Sequence, residues 1–193
     1  MSIQTEIAAF DWSEFDDGFV YACQRTLIRE GRLSDNPNDR GGLTKYGITK
    51  ATAARYGLEV RNLTLEQAVD IYGAEYWVLC GAPNFPMSKY LQAELFDTAV
   101  LSGPSTSIRL LQKAYNVLFA DRKPLLEDGR IGPKTTGAII ALLPRWEKTL
   151  LNAYNGEQYD FFESIISHSA SQRVFIRGWV GKRLDVPDDA TEA

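Results

Sequence analysis

The stretch EGRLSDNPNDRGGLTKYGIT, residues 30–49, decides the fold. Up to Glu30 the chain carries a helical period. Phe15, Phe19, Cys23 and Leu27 recur at four-residue steps, which predicts an amphipathic helix from Trp12 to about Arg29, capped by Asp11 or Ser13. The period then stops. From Gly31 to Gly47 lie four Gly, one Pro, two Asn and two Asp, a composition of turns and short extended pieces. Asp39-Arg40-Gly41-Gly42 is its tight-turn or hairpin candidate. Helical signals dominate afterwards. Thr49 to Tyr56 reads as a short helix closed by Gly57, and Thr64-Leu65-Glu66-Gln67 as a capping box opening a helix through Trp77. Ser88 opens another, with Leu91, Leu95 and Ala99 on one face, and Ser105 or Ser107 begins the next, to about Phe119. Pro133 suits the first turn of a helix to Leu143, Pro144 precedes a long helical stretch at about 145–169, and a last helix is expected at about 171–184. The fold class is therefore mainly α, with one small β-hairpin or irregular patch at about 31–47.

The composition narrows the functional classes. The chain has 193 residues, of which 45% are hydrophobic, so it can bury a sizeable core and global disorder is excluded. Its net charge of −4 argues against a nucleic-acid binder. That charge is unevenly spread. Five acids and no base fall in residues 1–17, and four acids and no base in 185–193, which leaves sixteen acids against twenty-one bases in between. Residues 18–61 carry eight bases and four acids. A segment of that sign would attract an anionic polymer.

Cys23 and Cys80 each sit in an apolar helical context and read as buried free thiols. One histidine, His168, and two distant cysteines cannot build a four-ligand zinc site, and no Ser-His-Asp pattern surrounds His168. Asp35-x-Pro37-x-Asp39-x-Gly41 fails as a calcium loop, because Pro37 falls at a ligand position and Tyr46 at the acidic one. No run is long and apolar enough for a membrane span, and no basic-then-apolar leader opens the chain.

Glu30 carries the chemistry. A carboxylate at the C-terminal end of a helix meets the negative end of the helix dipole, and its apolar neighbours suggest partial burial. Both favour the protonated form that a general acid needs. Asp39, in a polar turn, would be ionised. Such a pair suits glycoside hydrolysis, where one group protonates the leaving oxygen and the other activates water or stabilises the oxocarbenium charge. Thr44 is placed to hold a water on the opposite sugar face. The same two acids are also common surface features of a helix end and a turn. Asp97, polar within Leu95-Phe96-Asp97-Thr98-Ala99-Val100, reads either as a cleft residue or, preferably, as a buried hydrogen-bonding hub. Tyr72, Tyr76, Trp77 and Phe96, at helical spacing, read as core.

The order of these residues adds a second kind of information. Glu30, Asp39 and Thr44, spaced Glu-x8-Asp-x4-Thr, resemble the catalytic spacing of phage-type lysozymes, one residue shorter between Asp and Thr. Glu30-Gly31 followed by Asn36-Pro37-Asn38-Asp39-Arg40-Gly41-Gly42-Leu43-Thr44-Lys45-Tyr46-Gly47-Ile48-Thr49 resembles the glycoside hydrolase family 108 signature. The match continues through Val60-Arg61-Asn62-Leu63-Thr64, Tyr76-Trp77, Leu95 to Val100 and Ser102-Gly103-Pro104. Leu111-Gln112-Lys113-Ala114 and Asp128-Gly129-Arg130-Ile131-Gly132-Pro133-Lys134-Thr135 resemble the predicted peptidoglycan-binding region usually fused to that family. The plain reading of Asp128 to Thr135 is a turn that starts a helix.

This resemblance implies a lysozyme-like helical fold with a muramidase region at 11–103, a peptidoglycan-binding-like region at 104–184 packed with it, and an acidic tail at 185–193. It implies an N-acetylmuramidase, commonly a phage endolysin. Glu30, Asp39 and Thr44 are then the catalytic residues, and Tyr46, Arg32, Asn36 and Gly47 the substrate-binding candidates. No metal or organic cofactor is needed. The partner is peptidoglycan, engaged by a monomer that is made in the host cytoplasm and acts in the cell wall after holin-dependent release. Two other readings stand beside it: a lytic transglycosylase and a non-catalytic peptidoglycan-binding module. Arg32 departs from the family's glycine. It asks for a changed turn if that glycine needs a positive φ, and it adds a cation close to Glu30.

Overall fold

The computed structural model describes residues 2–35 and 42–184. Asn36, Asp39 and the acidic tail at 185–193 lie outside the described residues. Nine α-helices are described: α1 (Ile3–Ala9), α2 (Asp17–Glu30), α3 (Lys50–Arg55), α4 (Leu65–Tyr72), α5 (Lys89–Ser102), α6 (Pro104–Leu118), α7 (Pro133–Ile140), α8 (Leu143–His168) and α9 (Ile176–Arg183). The sheet is small and antiparallel, in the order β1 (Leu33–Asp35), β2 (Leu43–Lys45), β3 (Ile48–Thr49). This is the mainly α, lysozyme-like architecture with a hairpin patch that the sequence predicts.

Local chemistry sets the element ends. The first long helix begins later than expected. Asp16 caps it by accepting from the Phe19 amide, while Asp11 accepts from the Ser13 amide in the turn before it. The Thr64–Gln67 capping box is formed in both directions and opens α4. The helix passes into a π-helical turn, Gly73–Trp77, instead of continuing as α. Ser88 caps α5 through the Leu91 amide. α1 was not anticipated. It is one residue longer than α3 and is held by Ile3 and Ile7, which bury the same face at i and i+4.

α5 is the organising element. Tyr90 to Ala99 are all buried, and α2 lies on one side of it with α6 and α8 on another. A helix buried on every side belongs at the centre of a bundle, and the polar residues it carries there, Gln92, Glu94, Asp97 and Thr98, must find their partners inside. One cluster of buried side chains runs from Ile3 in α1 to Tyr154 in α8. Cys23 and Cys80 are buried free thiols within it. Tyr72, Trp77 and Phe96 pack edge to face with their neighbours and are core.

Polar groups buried between the helices are matched. Ser107 in α6 donates to the Leu95 carbonyl and meets the Tyr154 hydroxyl at 2.9 Å. Thr98 donates to Gln158 of α8 at 2.9 Å. The Asp128–Thr135 segment has the turn-helix role. The Gln112 amide of α6 reaches Asp128, the Arg130 carbonyl and Thr135, and Gln112 Oε1 accepts from Gly129 N–H at 3.0 Å.

Among the described residues Glu94 is the exception. Its Oε2 is buried without a hydrogen-bond partner. Burial, then the neighbouring Asp97 carboxylate, push its carboxyl up to about 8. The folded protein therefore holds a proton that the unfolded chain releases above its ordinary value near 4.5. Stability from this group is present below about 4.5 and is lost as pH rises towards 8. Denaturant unfolding of Glu94→Gln should show this loss removed, with the variant gaining on the order of 2–4 kcal/mol over the wild type at pH 8 and little at pH 4.

Candidate functional site

α2 delivers Glu30 as its last residue. Gly31, at φ +72, takes the chain out of the helix, and its N–H donates to the Leu27 carbonyl at 3.0 Å. The chain enters β1, which pairs Leu33 with Lys45, Ser34 with Thr44 and Asp35 with Leu43. β2 returns through a two-residue turn, Tyr46-Gly47, into β3. Both turn residues have positive φ, +51 and +74, as a type I′ hairpin requires. A tyrosine there is strained and is fixed from three sides. Its N–H donates to the Arg32 carbonyl, its own carbonyl accepts from the Tyr72 hydroxyl, and its hydroxyl donates to Glu6 at 3.0 Å.

That turn is pressed onto Glu30. A Cβ on Gly47 would stand 2.7 Å from Glu30 Cγ and 2.7 Å from the Tyr72 hydroxyl. Gly47 is thus required by backbone conformation and by closeness to the acid.

A cleft of about 330 Å³ opens beside it. Glu30, Thr44, Gly47 and Thr49 line it, with Val100, Leu101 and Ser102 at the end of α5. The rest of the lining comes from the last third of the chain: Phe161, Phe162 and Ile165 of α8, Gln172, Phe175, and Trp179 of α9. Its rings form one group. Trp179 stacks on Phe175 with centroids 6.0 Å apart and 19° between planes, and lies 5.3 Å from Phe162. Among the described residues Glu30 is the one ionisable side chain lining this cleft.

Of the residues selected from sequence, Glu30, Thr44 and Gly47 come together here. Tyr46 and Arg32 do not. The Tyr46 ring is buried at 3% exposure, and Arg32 forms an ion pair with Glu6 of α1 at 2.7 Å, so both are turned from the cleft. Arg32 has no left-handed backbone, which disposes of the conflict with the family's glycine at that position. The positive excess of residues 18–61 is also spent elsewhere. Arg29 faces Asp97, Arg55 pairs with Glu75 at 2.7 Å, and Lys45 donates to the Arg61 carbonyl.

The cation at Glu30 comes from the far end of the chain. Arg183, at the end of α9, donates through Nη2 to Glu30 Oε1 and through Nη1 to Asp97 Oδ2. Asp97 is the buried hub: it also accepts from the Thr26 hydroxyl at 3.0 Å and faces Arg29 at 3.2 Å. Burial alone would push the Asp97 carboxyl up; Arg183, Arg29 and Thr26 outweigh it and hold it below the usual carboxylate range. Sequence reasoning missed Arg183, Phe175 and Trp179. Nothing in their local pattern distinguishes them from an ordinary terminal helix.

Comparisons with known proteins find two family matches and a similar solved structure. Residues 23–103 match the model of the family described as Glycosyl hydrolase 108, and residues 106–184 the model described as Predicted Peptidoglycan domain. The structure of SagA from Brucella abortus is similar at 26% identity and a TM-score of 0.64, over 90% of this chain and 98% of that one. No curated protein matches. The two matches follow one another along the chain, so residues 23–103 are similar to the glycosyl hydrolase 108 family and residues 106–184 to the predicted peptidoglycan domain.

Proposed function

We propose that the chain is an N-acetylmuramidase that hydrolyses the β-1,4 bond between N-acetylmuramic acid and N-acetylglucosamine, with Glu30 as general acid. The observation that carries the reading is the cleft itself. One carboxyl, at a helix end and against a glycine turn, shares its lining with a group of aromatic rings. Glu30 gives its proton to the glycosidic oxygen as the bond to C1 breaks, and water supplies the new hydroxyl. Thr44, which also lines the cleft, would orient that water. Asp39 is the second carboxylate on sequence grounds alone.

The apolar faces of hexopyranose rings suit the Phe175–Trp179 wall, so the region matched as a peptidoglycan domain would act as the second jaw of the cleft. Trp179→Ala should raise KM about tenfold and change kcat by less than about threefold, the loss of one ring contact of roughly 1–1.5 kcal/mol. Steady-state kinetics on solubilised glycan strands checks this.

Mass spectrometry of fragments from purified sacculi tests the activity. Reducing muramic ends are expected. Anhydro-muramyl ends would replace the reading with a lytic transglycosylase, and binding to sacculi without release would replace it with a non-catalytic module. The reading extends to a phage endolysin that reaches the wall after holin-dependent release. Expression with and without a co-expressed holin should then lyse cells only in the first case.

A further inference from the structure

Arg183 lies on α9, yet its guanidinium stands between α2 and α5 and is 8% exposed. Two carboxylates share it: Asp97, buried and held by Thr26 and Arg29, and Glu30, partly open to the cleft. Asp97 has no route to water, so its three partners fix it, and it in turn fixes Arg183. Glu30 is the partner that lines the cleft.

We propose that Arg183 is a positioning residue for the hydrolysis: anchored by Asp97, it holds Glu30 through Oε1 and takes up the negative charge that Glu30 acquires on giving up its proton. The inference rests on the reading of Glu30 as general acid. The geometry suits both protonation states. A carboxylate offers two accepting oxygens and a carboxylic acid still offers one, so Arg183 Nη2 can donate to Oε1 whether or not Oε2 carries hydrogen. In the acid step the Oε2–H bond breaks, its electron pair stays on Oε2, and the proton joins the glycosidic oxygen. The C1–O bond breaks with its pair passing to that oxygen, water adds at C1, and the proton that water releases restores the acid. The charge left on Glu30 is then paired with a guanidinium already in place, without reorganisation at the moment of reaction.

Other groups that face Glu30 do not substitute for it. Tyr72 and Tyr76 approach from α4 and the π-helical turn. Burial pushes both phenols up, so both are neutral near pH 7. Arg29 is engaged with Asp97, and Thr44 and Gly47 on the hairpin carry no charge.

The test is the pH profile of kcat on sacculi for wild type and Arg183→Met. The variant should lose about ten- to a hundredfold in kcat with KM within about twofold, and the alkaline limb of its profile should move up by about one pH unit. Superimposable profiles with kcat unchanged would overturn the inference while leaving the hydrolase reading standing. Reduced kcat with an unmoved limb would also overturn it, since a merely structural role would do that. A wild type that yields no reducing ends would overturn both. Should Arg183→Met fail to fold because Asp97 loses a partner, Asp97→Asn combined with Arg183→Met removes both charges and keeps the Thr26 hydrogen bond. The same displaced limb is expected from that double variant, and an unmoved limb again overturns the inference.

Discussion

Glu30→Gln should release no measurable soluble fragment from sacculi while unfolding at nearly the wild-type temperature. A general acid contributes about 10²–10⁴-fold, and glutamine has no proton to give. The fold should tolerate the change, because the glutamine carbonyl still accepts from Arg183 and Arg183 keeps its bond to Asp97. The pairing of results is the test. Activity within about tenfold of wild type would remove Glu30 from the acid role, and lost activity with a collapsed melting temperature would show a structural role instead. Sedimentation with sacculi should persist, since the aromatic rings lining the cleft are untouched.

The second large effect is expected at Gly47. Gly47→Ala forces a left-handed backbone on a residue with a side chain, at about 1–2 kcal/mol, and drives a methyl into contacts 2.7 Å away, at about 1–3 kcal/mol more. One of the atoms it meets cannot yield. The Tyr72 hydroxyl belongs to a fully buried ring and is bonded to the Tyr46 carbonyl. Glu30 must move instead. Denaturant unfolding should show a loss of roughly 2–4 kcal/mol, and the folded fraction should keep less than about a tenth of the wild-type kcat, since small misplacements of a reacting group are costly. Gly57→Ala is the control. Its φ of +69 imposes the same backbone cost, and nothing lies within 4 Å of the added methyl. It should cost only the first part and leave kcat alone.

The parts of this molecule that sequence discloses are those fixed by local rules. The capping box at Thr64, the serine cap at Ser88 and the glycine exit at Gly31 each need only a few consecutive residues, and each is in place. Asp97 is legible as a hub because a lone acid inside an apolar helix needs partners, although its partners are not. The segment from Gly31 to Gly47 is legible as a hairpin because turn residues accumulate there. What stays hidden depends on distant chain. Tyr46 looks like a cleft residue until Glu6, forty residues earlier, draws its hydroxyl the other way. The positive excess near Glu30 looks like an attraction for an anionic polymer until Glu6, Glu75 and Asp97 claim the arginines. Trp179 carries no local mark at all, because its place in the cleft with Glu30 follows from how α8 and α9 fold back.

The reach of Arg183 to Glu30 bears on when the molecule becomes able to act. The two residues are 153 apart in sequence. Contacts that close so long a stretch of chain form late, after the local helices and hairpins are in place. During synthesis the hairpin and its acid leave the ribosome long before the helix that completes them. A product ending before α9 would therefore carry Glu30 without the guanidinium that Arg183 sets against it.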